Sequence, residues 1–271
     1  MKFISGIITR KTILFFLLIS LLPYYGFAQR TKSSLSAGEQ RHAEKGLKDN
    51  RYFFYFINSS ISNLGSDEEK AIFKEAIQRD IIAQLLYMKF QFHDSFLEIR
   101  KSQKLLIDLY RLTLKRDIKI TRELLNGFAP RVVESGNDRA RHYLKLGYRD
   151  VVHSNSDMLM GDNYRENLYS MRLYKYTRAI KMAKHGKRYA FFSLFESGIE
   201  PSAKINKWGF LSFEELEKKI VESTEDNKDY FQTIHYDNYY RARADKSFYD
   251  SIWENPLLNE IPEYSEYLKK D

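Results

Sequence analysis

The chain has no cysteine. That one absence removes disulfides, thiolate metal sites, thiol nucleophiles and an N-terminal lipidated cysteine together. Proline is scarce, at five in 271 residues, and charged residues make up 30%. A collagenous, Pro-rich or wholly disordered chain is excluded on those figures. Catalytic signatures are missing as well. There is no H-E-x-x-H, no glycine-rich phosphate loop, no G-x-S-x-G and no G-x-G-x-x-G, so no enzyme activity and no cofactor is expected. What is abundant is aromatic: 20 Tyr, 19 Phe and 2 Trp, on a chain of formal charge +8.

The N-terminus carries a three-part export signal. Lys2, Arg10 and Lys11 precede an apolar run over 13–22, and Pro23 breaks that run. Gly26 and Ala28 supply small residues at −3 and −1, so cleavage is expected before Gln29. An apolar run of about ten residues falls well short of the roughly 20 needed to span a bilayer. The expected location is therefore the periplasm, without stable membrane insertion after cleavage. The mature 243 residues are long enough to bury a large core without a staple.

The pattern of the mature chain is helical throughout, and the expected fold class is all-α, elongated and bent. Residues 29–36 are polar and expected to fray. A helix from Ala37 carries Tyr52-Phe53-Phe54-Tyr55-Phe56 and stops at Asn63-Leu64-Gly65. Five adjacent aromatics cannot share one helix face, so they are buried on several sides or await a partner. Residues 66–126 contain no Gly or Pro and open with Ser66-Asp67-Glu68-Glu69, a capping box. Phe73, Ile77, Ile81, Leu85, Met88, Phe92, Phe96 and Ile99 recur about every 3.7 residues, a helical period. Acids concentrate in the first half and bases in the second, matching the helix dipole. Unbroken, that helix is roughly 90 Å long. Alternation over 112–121 marks a place for a kink, and Asn126-Gly127 with Pro130 predicts the stop. Further helices are expected over 137–160, 164–195, 212–221, 226–244, 248–254 and 263–270. The expected organisation is a signal peptide at 1–28, a long-helix arm at 29–135, a basic Tyr-rich region at 136–211 and an acidic region at 212–271.

Two blocks of opposite charge stand side by side. Residues 163–211 hold ten bases and three acids, whereas residues 212–271 hold eight bases and fifteen acids. On the helix containing Tyr169 to Ala183, Tyr169, Leu173, Tyr176, Ala179, Ile180 and Ala183 fall on one face. Lys175, Arg178, Lys181 and Lys184 fall on the opposite face. With Arg172 they form a candidate partner-binding ridge. Tyr230, Tyr236, Tyr239 and Tyr240 are candidate contact residues in the acidic block, because Tyr offers large area at low entropy cost. The tail can fold back within its own chain or meet the ridge of a neighbouring subunit, which would be self-association. Basic residues among aromatics also occur in single-strand binders, but export argues against nucleic acid. His142 and His153 are too far apart along a helix to chelate one ion.

Arg141-His142-Tyr143-Leu144-Lys145-Leu146-Gly147-Tyr148 partly matches a tetratricopeptide helix opening, although no second copy follows 34 residues later. It keeps open a soluble periplasmic helical-repeat adaptor that binds a protein or peptide. The same stretch, extended to Arg149-Asp150, resembles the flagellar coiling proteins of leptospiral spirochaetes, nearest to their shorter member. That resemblance implies a bent, helical, non-catalytic subunit of the periplasmic flagellar sheath. Its partners would be the filament core and other sheath proteins, and its effect would be on filament curvature and motility.

Overall fold

The computed structural model describes residues 10–198 and 247–269, with side chains from Ala37 onward. Five long helices make up the body: α1 (Arg10–Leu64), α2 (Asp67–Met88), α3 (Phe92–Glu134), α4 (Asp138–Asn163) and α5 (Tyr169–Ser197). Two short helices, α6 (Phe248–Glu254) and α7 (Tyr264–Leu268), flank a 3-10 turn at Leu258–Glu260. The fold is all-α and elongated. At 1.5 Å per residue, the 43 residues of α3 alone reach about 65 Å.

Helix direction alternates, and α3 is the spine. Residues 83 and 76 of α2 lie opposite 95 and 102 of α3, an antiparallel pair. Residues 147 and 154 of α4 lie opposite 186 and 179 of α5, a second antiparallel pair. Helices α1 and α5 both run parallel to α3, as the Phe53–Tyr110 and Thr121–Ala183 contacts show. One hydrophobic cluster runs through all five, from Phe53 and Phe73 through Leu109, Tyr110 and Leu125 to Tyr176 and Phe191.

The aromatic run at 52–56 is buried on several sides. Phe53 meets Tyr110 of α3 and Tyr174 of α5, while Phe54 meets Phe73 of α2 and Tyr249 of α6. Tyr52 and Tyr55 remain exposed. The predicted stop at Leu64-Gly65 and the capping box at Ser66 are both present, with Glu69 N–H donating to Ser66 Oγ and Ser66 N–H to the Glu69 carboxylate.

Three expectations are corrected. The 66–126 helix is two helices, and the break falls at Lys89–Gln91 rather than within 112–121. Helix α3 then continues through Gly127 and Pro130 to Glu134, because Phe128 and Val132 bury on the far side of that nominal stop. Phe128 packs on Phe191 of α5. The turn comes instead at Gly136, with φ +65°, where glycine adopts the left-handed region at little cost. Residues 29–36 are helical, continuous with α1. The expected helices over 212–221 and 226–244 lie outside the described residues.

The α4–α5 pair packs unusually closely because Gly147 faces Gly186. A Cβ on Gly186 would stand 3.1 Å from the Gly147 carbonyl oxygen and 3.1 Å from Thr121 Cγ2. Backbone cannot yield as a flexible side chain does. Gly186→Leu is therefore expected to lower unfolding stability by about 1–3 kcal/mol, with Ser154→Gly at the same seam costing less, both read from urea titrations.

Candidate interaction surfaces

The predicted basic ridge is only partly a surface. Helix α5 is packed by α1, α3 and α4, so its polar stripe is covered over much of its length. Lys184 is 1% exposed and donates to Ser60 Oγ of α1 at 2.7 Å. Lys181 lies 5.5 Å over the Phe56 ring, a cation–π contact. Arg178 and Lys175 share buried Asp157 at 3.0 and 3.6 Å. Arg172 donates to the Gly161 carbonyl at 3.2 Å and borders a cleft of about 450 Å³. That cleft has mixed charge, with Lys104 and Arg111 opposite Asp108, Asp162 and Glu166. Of the five bases, Arg178 is the most open to a partner. Tyr230, Tyr236, Tyr239 and Tyr240 lie outside the described residues.

The described part of the acidic tail docks within its own chain, and not on that ridge. It lies across α1, α2 and α3. Backbone N–H groups of Phe248 and Tyr249 donate to Ser62 Oγ and Asn58 Oδ1 of α1. Gln78 of α2 donates to the carbonyls of Pro256 and Leu257 and to Glu260. Lys74 pairs with Glu260 at 2.7 Å, and Lys101 with Glu263 at 3.1 Å. Ile261 closes on Ile82 and Leu86 beneath these pairs.

At the centre of the clamp sits Glu98, fully buried on α3. It accepts from Arg79 at 3.2 Å, Lys101 at 2.6 Å and Tyr267 Oη at 2.8 Å. Burial, followed by the Glu98 hydrogen bond, holds the Tyr267 hydroxyl well above its usual range. Glu263 is pulled below the carboxylate range, first by its own backbone N–H and then, against burial, by Lys101 and Arg79.

A second buried polar group joins three helices. Asn50 of α1 donates to Asp80 Oδ1 of α2 at 2.7 Å, and Gln103 of α3 donates to Asn50 Oδ1 at 2.9 Å. Gln84 donates to Asp80 Oδ2 at 2.9 Å. Two donors do not offset the loss of water, so burial pushes Asp80 up to about 6. Neither Glu98 nor Asp80 was singled out by sequence reasoning, since acids at helical spacing look like solvated faces.

Two predictions follow from these groups. Glu98→Ala leaves Arg79 and Lys101 without their shared acceptor and frees Tyr267. It is expected to cost about 2–4 kcal/mol and to make the chain near residue 258 an early cleavage site in limited proteolysis. For Asp80, the folded chain binds a proton more tightly than the unfolded chain, whose carboxyl titrates near 3.8. Its contribution to stability is thus fully present below the unfolded value and is lost as pH rises through about 6. Asp80→Asn should lack that fall, seen as a flatter stability profile between acid and neutral pH in denaturant titrations at stepped pH.

Among the described residues, no helix is long and apolar enough to cross a membrane, and no group of three or more His, Asp or Glu could hold a metal ion. Neither a curated protein nor a solved structure matches the sequence. A family profile described as surface protein adhesin OmpL37 matches residues 37–266, which is 230 of the 271. It begins where the packed part of α1 begins and ends inside α7, so it spans the whole folded body. The chain belongs to the OmpL37 surface-adhesin family, a leptospiral family.

Proposed function

We propose that the protein is an exported envelope protein that works by contact alone, an adhesin-type binder displayed at the cell surface. The observation that carries this reading is the extent of the family match, over 37–266, across both helical hairpins and the docked tail. An export signal at the N-terminus and a long rigid spine support it. A rod about 65 Å long holds contact side chains away from the surface that bears it.

A second reading is a subunit of the periplasmic flagellar sheath, akin to flagellar coiling protein B. What favours it is the stretch from Arg141 to Asp150 together with the elongated form, since lateral packing along a filament needs a long side. The two readings place the protein on opposite sides of the outer membrane.

Protease treatment of intact cells separates them. Surface display predicts loss of the immunoblot signal on intact cells, and saturable binding of the mature protein to at least one immobilised extracellular-matrix protein. A signal that survives until the outer membrane is opened, and that then sediments with washed periplasmic filaments, would overturn the adhesin reading in favour of the sheath.

A further inference from the structure

The break between α2 and α3 carries a conformation that the fold does not favour. Lys89 N–H bonds the Leu85 carbonyl at 3.1 Å, Phe90 N–H bonds Tyr87 at 3.0 Å and Gln91 N–H bonds Leu86 at 3.0 Å. The last two are the paired bonds of a Schellman motif, whose left-handed position normally holds glycine. Here it holds Phe90, at φ +62°. A bulky side chain at positive φ is strained.

Burial does not compensate. Phe90 is 79% exposed, and Met88 beside it is 64% exposed. Phe90 touches Phe92 edge-on, and Phe92 in turn packs on Tyr87, so the turn ends in an exposed aromatic knob. Glycine here would relieve the strain and lose almost no packing. A residue that costs stability and fills no core is placed for something outside the chain.

The shape and charge of this end identify the partner. The knob is convex and so suits a soft, deformable surface better than a preformed pocket. The Glu39–His93 contact at 3.3 Å puts residue 39 of α1 level with the start of α3. Because α1 runs parallel to α3, residues 29–38 continue past the knob at the same end. Their sequence contains Arg30 and Lys32 and no acid, and Lys89 adds a base within the turn itself. Exposed Phe, Tyr and Met beside unopposed bases are the composition of interfacial membrane anchors, which combine apolar insertion with attraction to anionic headgroups.

We propose that the α2–α3 turn is a peripheral membrane anchor. Met88 and Phe90 enter the headgroup region of an anionic lipid layer, and the basic segment at the same end supplies the electrostatic attraction. The spine then stands off the lipid with its far end free for other contacts.

Flotation of the mature protein with vesicles of phosphatidylglycerol and phosphatidylcholine tests this. The unaltered protein should float with the mixed vesicles and much less with pure phosphatidylcholine. Phe90→Gly should lower partition by about tenfold or more while raising the Tm by about 2–4 °C. Met88→Ser should weaken partition with little change in Tm, and Val152→Ser, an exposed apolar residue on α4, should change neither. Failure of the unaltered protein to float overturns the proposal, as does equal flotation of Phe90→Gly. A lower Tm in Phe90→Gly would mean that Phe90 serves the fold, which also overturns it. So would loss of binding to a protein target in Phe90→Gly with no vesicle binding by either form, which would make the knob a protein contact.

Discussion

A hydroxyl on one helix bonded to a backbone carbonyl on the next recurs at every close crossing in the body. Ser95 donates to Ala83 and Ser102 to Ala76, both at 2.8 Å, across α2 and α3. Ser154 donates to Ala179 at 2.8 Å across α4 and α5, and Thr121 to Ala183 at 3.1 Å across α3 and α5. Each bond contributes about 1 kcal/mol net. Its larger effect is geometric, since a short hydroxyl reaches a facing carbonyl only if the axes are close and the register is fixed. Alanine and glycine opposite make that approach possible. The pairs 76 and 83, 95 and 102, 147 and 154, and 179 and 186 are each seven residues apart, which keeps one seam facing its partner over two turns. Large side chains then fill the flanks, and the remaining packing follows from that spacing.

Burying polar groups has fixed the outer layer as well. Glu98 is desolvated and has three donors around it, two of them cations. One of those donors, Tyr267, comes from the tail. The tail is thus held by charge and hydrogen bonding above and by Ile261 below. Opposite charges that could have joined subunits are, in this region, spent within one chain. The pairs concerned involve Lys74, Arg79 and Lys101 of α2 and α3, and not the bases of α5. Net charge by block describes steering at a distance. It does not say which acid meets which base, because that depends on which helix faces the tail.

The same distinction explains what was legible in the sequence. The Ser66 capping box, the stop at Gly65, the N-cap at Asn137 and the all-α class are local or periodic signals, and they need no partner to be read. The Lys89–Gln91 break carries neither Gly nor Pro, so its residues gave no warning. What decides it is long-range: α2 must double back to bury Phe73, Ala76 and Ile77 against α3. Gly127 and Pro130 did warn of a stop, and the packing of Phe128 on Phe191 overrode them. A two-sided helical wheel predicts an exposed basic face on α5. The helix has three neighbours, so Lys184 and Lys187 end in the interior. The seven-residue pairing of small residues was visible in the sequence, and it was the signal that could have revealed the two hairpins.

The stretch from Arg141 to Asp150 has a similar lesson for function. Tyr143, Leu144, Gly147 and Asp150 within it are buried. Gly147 sets the closeness of α4 to α5, and Tyr143 packs against Tyr189 and Phe192. The pattern that looks most like a motif is therefore a packing device. Proteins that share it share a helix crossing, and a helix crossing is indifferent to whether the molecule lies on a filament or faces outward from a cell. Function must reside in residues the fold does not need. By that criterion Phe90 is more informative than the whole of that stretch, because it is strained, exposed and unrewarded by packing. Surface residues held against local preference are where a scaffold of this kind differs from its relatives in what it touches.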